Sequence, residues 1–212
     1  MTVVNPTNTL LAEFTGGTSG EVEMMIGIGL VKDSDAIFFQ YLGEEQQPQA
    51  LVQPTSGKPL TRLSNVVLTG ISIAEDIGEF KSTKLNLYLQ SSQGRTIMLT
   101  SGLKTIWSQC VLTSLIGMYN SYDLQTPFSL DSWKGNSKMR PCFAAVRIGQ
   151  TKVSDQVMYD ALTDARADRD NERTEQLLRD SVATINKALG GPVEEVAVSD
   201  EAAVDPAAAE LF

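Results

Sequence analysis

The stretch Lys84-Leu-Asn-Leu-Tyr-Leu-Gln90 alternates strictly, so as a strand it sends Leu85, Leu87 and Leu89 to one face and Lys84, Asn86, Tyr88 and Gln90 to the other. The polar face sets an aromatic ring among hydrogen-bond donors and a cation. The same part of the chain carries Lys81, Arg95, Lys104, Trp107, Phe128, Trp133, Lys134, Lys138, Arg140 and Arg147. Cations neutralise phosphates, and aromatic faces stack on unpaired bases at roughly 1 to 3 kcal/mol per base, which is the chemistry of single-stranded nucleic-acid binding. This chemistry needs the mixture of residues and no fixed spacing, so the signal is compositional. Tyr88, on the polar side of its strand, and Trp133, at a turn beside Lys134, suit a stacking platform. Trp107 and Phe143, embedded among apolar neighbours, suit a core better than a platform. Lys134, Lys138 and Arg140 form the basic cluster most suited to phosphates.

Other chemistries find less support. The chain has no histidine, which excludes Ser-His-Asp and Cys-His nucleophiles, His-metal sites and His general bases. Glu75, Asp76 and Glu79 crowd a turn between strands, where a metal-dependent hydrolase would need a second acidic cluster. A solvated turn accounts for them. Gly27-x-Gly29 lacks the third glycine and following helix of a nucleotide-binding loop, and reads as strand glycine at a bulge or close approach. No catalytic residue, metal or cofactor is therefore expected.

The net charge of -9 hides a segregation. Residues 1–56 carry a net -6, residues 57–152 a net +6, residues 153–190 a net -3 and the remainder -6. From Lys81 to Lys152 nine bases face only Asp123 and Asp131. A basic body joined to acidic flanks points to an anionic partner. The last stretch, Pro192 to Phe212, holds Glu194, Glu195, Asp200, Glu201, Asp205 and Glu210 among Ala and Val, and ends on Leu211 and Phe212. Such a composition does not fold alone. Cys110 and Cys142 sit in apolar surroundings and read as reduced thiols. No apolar run of about 20 residues and no secretory leader is recognisable, so a soluble, cytoplasmic protein with no membrane attachment is expected.

The elements that must position these residues follow in order. Residues 1–20 are expected to form a flexible arm, and Val22–Val31 with Ala36–Leu42 a strand pair. Gly43–Ser64 has loop composition. Val66–Ile73, Lys84–Gln90 and Arg95–Thr100 read as a meander, Leu103–Met118 as a helix ended by Gly117, and Phe128–Trp133 and Met139–Lys152 as two strands. From Ser154, taken as N-cap, a long or broken amphipathic helix runs to Gly190-Gly191. The expected fold is thus mainly β with an appended helix. It is an OB-like barrel of three strands, one helix and two strands, with N-terminal strands and a C-terminal helix added. The nucleic-acid-binding domain would span 21–152 with its core at 65–152, followed by a helical segment at 153–190 and a disordered acidic tail at 191–212.

A basic OB-like core followed by an acidic C-terminus ending in an aromatic resembles the single-stranded DNA-binding proteins, particularly those of bacteriophages. The likeness covers the organisation of residues 65–212. It implies that Asp200, Glu201, Asp205, Glu210, Leu211 and Phe212 recruit replication or recombination proteins and compete with DNA for the groove, and that the compartment is the host cytoplasm if a phage encodes the chain. A homo-oligomer is compatible with this organisation. The competing expectation is a virion or scaffold component that oligomerises and binds no nucleic acid.

Overall fold

A computed structural model of the chain describes residues 22–31, 34–42, 47–78 and 80–190. The expected arm and acidic tail therefore lie outside the described residues. The strands are β1 (Val22–Ile28), β2 (Phe38–Leu42), β3 (Gln47–Ala50), β4 (Arg62–Ile77), β5 (Ser82–Ser91), β6 (Thr96–Gly102), β7 (Phe128–Lys134), β8 (Cys142–Ile148) and β9 (Thr151–Val153). The helices are α1 (Ile106–Ser121), α2 (Gln156–Ala167) and α3 (Asn171–Ala188).

The strands form one sheet in the order β3-β2-β1-β6-β5-β4-β7-β8-β9. It is mixed, because β1 runs parallel to β6 while the other neighbours are antiparallel. Its ends, β3 and β9, are not paired to each other, and β6 pairs with β1 and not with β8, so among the described residues the sheet is open and the expected OB-like barrel does not close. The architecture is mainly β, and among the described residues no helix is long and apolar enough to cross a membrane.

The alternation in β5 works as the sequence demands. Leu85, Leu87 and Leu89 are buried, and their register partners Ile73, Ile71 and Leu68 on β4 and Leu99 and Ile97 on β6 continue the same apolar layer. Helix α1 closes that layer with Trp107, Val111, Leu112, Leu115 and Met118. Truncating a leucine in such a layer to alanine costs about 2 to 5 kcal/mol. Thr105 caps α1 by accepting from the Ser108 backbone N–H. Ser108, Thr113 and Ser114 are buried in the helix and donate to the carbonyls of Gly102, Gln109 and Cys110, which satisfies their hydroxyl hydrogens.

Several boundaries differ from the sequence expectation, each for a packing reason. Helix α1 continues through Gly117 to Ser121. Gly117 is buried, and a Cβ there would lie 2.7 Å from the Ser154 carbonyl carbon, so this glycine admits a neighbouring backbone and does not end the helix. The expected strand Met139–Lys152 is two strands, β8 and β9, turned at Gly149 with φ of 60°. Strand β3 arises within the expected loop Gly43–Ser64 as the edge partner of β2. Gly27 does serve a close approach, since the Phe39 ring lies where its Cβ would be.

The C-terminal region is two helices. Asp155, and not Ser154, caps α2, its Oδ1 accepting from Met158 N at 2.8 Å. The helical pattern breaks after Ala167, and Asp170 caps α3 by accepting from Arg173 N. Helix α3 is tied to the sheet by a charged chain. Arg179 reaches Glu75 of β4 at 2.6 Å and Glu175 at 2.7 Å, and Glu175 takes Lys104 at 2.8 Å.

Candidate functional site

The structure separates the nominated aromatics. Trp107 is fully buried, its Nε1 donating to Ser132 Oγ at 2.9 Å, and Phe128 is buried in the same core. Neither presents a ring face to a ligand, which corrects their nomination. Tyr88 stands on the outer face of β5, as the alternation requires, yet only 9% of it is exposed. It registers between Met98 and Gly70. The expected exposed platform at Tyr88 is therefore corrected too. Trp133 alone of the four is open, at 44% exposure.

The basic stretch is also altered by folding, because acids from its flanks come back to it. Glu23 pairs with Arg95 at 3.2 Å, Asp35 with Arg140 at 2.9 Å, and Glu175 with Lys104. Lys134 donates to the Ser34 carbonyl and lies 4.0 Å from Asp35. Asp131 takes both Arg147, at 2.8 Å, and Arg62, at 3.2 Å. The segregation counted along the chain thus overstates the field of the folded body. Lys81 and Lys138 are exposed and Lys84 half-buried, with no acid partner among the described residues. Asp200, Glu201, Asp205, Glu210, Leu211 and Phe212 lie outside the described residues. So does Glu79 of the acidic turn, while Glu75 is engaged by Arg179 and Thr83.

One place gathers aromatic and cationic groups. Trp133 on β7 registers with Phe143 on β8, and their rings stack with centroids 6.0 Å apart at 17°. Gly135 permits this, since the Phe143 ring edge comes within 2.7 Å of where its Cβ would be. These two rings line a pocket of about 240 Å³ between the β8–β9 edge and helices α1 and α2. That is just below the roughly 300 to 1,000 Å³ of drug-sized sites. Exposed Lys152, Tyr159 and Arg166 stand at its rim with Trp133, while buried Gln109, Thr113 and Ser114 of α1 form its floor. Among the described residues, no carboxylate lines it.

Local structure holds this rim. Arg166 donates through Nε to the Leu162 carbonyl at 3.2 Å and through Nη2 to Thr163 Oγ1 at 3.1 Å, so its guanidinium is positioned without an acid. Lys152 sits on β9, which the Gly149 turn folds back onto β8 opposite Arg147. The backbone N–H of Asp155 donates to the Thr113 carbonyl at 3.0 Å and fixes the start of α2 against α1. Chemically, such a pocket can hold a flat unsaturated ring against Trp133 and an anion against Lys152 and Arg166.

Sequence reasoning missed Phe143, Tyr159, Lys152, Arg166 and Gln109 as members of one site. Hairpin pairing about the turn that follows Lys134 was the available signal for Phe143. Nothing in the sequence ties α2 to this edge. Phe80, highly exposed beside Lys81 on the β4–β5 turn, was also passed over. No known protein family, curated protein or solved structure matches the chain.

Proposed function

We propose that the chain binds single-stranded DNA largely without sequence preference, in the manner of a replication or recombination accessory protein and without catalysis. The observation that carries this reading is the pocket in which stacked Trp133 and Phe143 meet Lys152 and Arg166, with no acid lining it among the described residues. Stacking with phosphate neutralisation is the combination that holds unpaired strands. The OB-like plan expected for residues 65–152 lends partial support. The element order β4-β5-β6-α1-β7-β8 and the pairing of β4 with both β5 and β7 fit it, whereas β1 lies at the outer edge of β6 and leaves the barrel unclosed. In OB folds the hairpin loops and middle strands hold oligonucleotides. Lys138, Lys81 and Phe80 lie on such hairpins. The acidic C-terminal stretch would recruit partner proteins and compete for the same cations, a role that rests on its sequence.

The test is a titration of tryptophan fluorescence with a single-stranded oligonucleotide at low and at about 0.2 M salt, with duplex and single-stranded RNA as controls. Quenching that favours single strands and weakens with salt is expected. No response to any nucleic acid would overturn the reading.

A second reading, a self-assembling structural component, is favoured by the exposed apolar residues Val22, Met25 and Tyr41 on β1 and β2. It requires a large homo-oligomer by sedimentation and no nucleic-acid affinity.

A further inference from the structure

The strands β1 and β2 stand outside the OB-like plan, and what they add is one side of a second cavity. It holds about 290 Å³ and lies at the seam that leaves the barrel unclosed, since Ser101 of β6 and Cys142 of β8 both line it without pairing. Ile28 and Leu30 come to it from the end of β1, and Met139, Arg140 and Cys142 from the β7–β8 connection and the start of β8. Ile106 of α1 lines this cavity and the Trp133 pocket alike, so the two adjoin. The lips of the second cavity are open to solvent: Met139 is 85% exposed and Leu30 53%. Among the described residues, no carboxylate lines it. Arg140 is paired with Asp35 at 2.9 Å, but both side chains are exposed, and an exposed pair is weak enough for another anion to displace.

Two adjoining cavities thus repeat one arrangement, exposed apolar side chains beside a cation. Trp133 stands with Lys152 and Arg166 at the first, and Leu30 and Met139 stand with Arg140 at the second. The repetition selects the occupant, because a single strand brings a flat ring and an anion at every step. A fatty acid brings one anion and no ring. We propose that one bound strand fills both cavities, with a base on Trp133 in the first, a base between Leu30 and Met139 in the second, and Arg140 on the phosphate beside the latter. This inference rests on the single-strand reading above and gives the added N-terminal strands a share in the site. Leucine and methionine are among the apolar side chains that proteins set against base faces. Covering them with a base also removes apolar surface from water.

The two cysteines of the chain report on the two cavities, for half-buried Cys110 lines the first and half-buried Cys142 the second. The experiment follows their alkylation by iodoacetamide, read by peptide mass spectrometry. It is run at mildly basic pH, because burial raises the Cys142 thiol above its ordinary value. The probes are a thymidylate octamer at saturation and an octamer of abasic deoxyribose phosphates, which keeps the anions and lacks the rings. The thymidylate octamer should slow both thiols at least about fivefold, and the abasic octamer should leave Cys142 within about twofold of its free rate. Met139→Ser and Leu30→Ser, at exposed positions, should keep the melting temperature and each weaken binding of the thymidylate octamer roughly three- to tenfold. Protection of Cys110 without Cys142, or unaltered affinity in both variants, overturns this inference, leaves single-strand binding standing and gives the second cavity to another occupant. Equal protection of Cys142 by the abasic octamer overturns the base as what fills it. Protection of neither thiol, with no fluorescence response to the octamer, overturns the single-strand reading and this inference with it.

Discussion

Arg140 Nη2 lies 2.9 Å from Asp35 Oδ1, a contact between residues 105 positions apart in the chain. Lys134 Nζ reaches the same carboxylate at 4.0 Å. One acid from the β1–β2 connection thus holds the two bases that the sequence singles out most clearly for phosphates. The Asp35 side chain is itself largely exposed, so the pairs contribute little to stability, on the order of 0 to 1 kcal/mol. Their effect is on the local field.

Asp35→Asn should therefore leave the fold intact and strengthen single-strand binding at low salt. For single strands the slope of log affinity against log salt changes by about 0.7 for each phosphate neutralised. Release of Arg140 should steepen it by up to about 0.7. Lys134, with its side chain 8% exposed and its Nζ on the Ser34 carbonyl, stays where it is, which corrects its nomination for phosphates. A slope that stays as it was would place Arg140 outside the path of the strand.

The two tryptophans should separate cleanly. Trp133 is open and stacked on Phe143, whereas Trp107 is buried and bonded to Ser132. Trp133→Ala is expected to abolish the fluorescence response and weaken binding by roughly 1 to 3 kcal/mol, the value of one base stack. Trp107→Phe should lower stability, through loss of the Ser132 bond, and keep the response. A response that survives in Trp133→Ala would move the site elsewhere.

The difference between these tryptophans marks how far the sequence could be read. Strict alternation located β5 and its buried leucines, and the order of strands and helix followed from turns and periodicity. Those signals are local. Charge was misread because Glu23, Asp35 and Glu175 pair across the fold with Arg95, Arg140 and Lys104. Tyr88 is buried on the face that alternation alone assigns to solvent, between Gly70 and Met98 of the neighbouring strands. The pocket joins β7, β8, β9, α1 and α2, and no spacing along the chain encodes that meeting.

The charged chain Glu75–Arg179–Glu175–Lys104 gives a pH dependence with a definite sign. The Arg179 guanidinium and the Thr83 hydroxyl hold Glu75 below the ordinary carboxylate value of 4.5. Lys104 and Arg179 do the same for Glu175. Depressed carboxylates stabilise the fold above their unfolded value and lose that contribution as pH falls through the folded one. The contribution should be full above about pH 4.5 and disappear below it. Because the groups are partly open to solvent, its size is about 1 kcal/mol or less. Urea unfolding of Arg179→Met should show a shallower loss of stability between neutral pH and acid. Identical slopes would mean that the chain of ion pairs adds nothing.

Gly117 offers the sharpest test of how the pocket is built. In an exposed helix, replacing glycine by alanine gains up to about 1 kcal/mol of helix propensity. Here the added Cβ meets backbone, 2.7 Å from the Ser154 carbonyl carbon and 2.9 Å from Asp155 N. Backbone atoms cannot swing aside as a side-chain end can. The start of α2 must instead move off α1, straining the bond from Asp155 N–H to the Thr113 carbonyl. Overpacking of this kind costs typically 1 to 3 kcal/mol, more than the propensity returns. Gly117→Ala should therefore lower the melting temperature despite the better helix former. It should also weaken oligonucleotide binding, because Ser154 and Thr113 both line the pocket. Ser121→Ala, exposed at the end of the same helix, is the control and should change neither. A stabilised Gly117→Ala would show that α1 and α2 are not held at this contact and that the pocket has no fixed wall there.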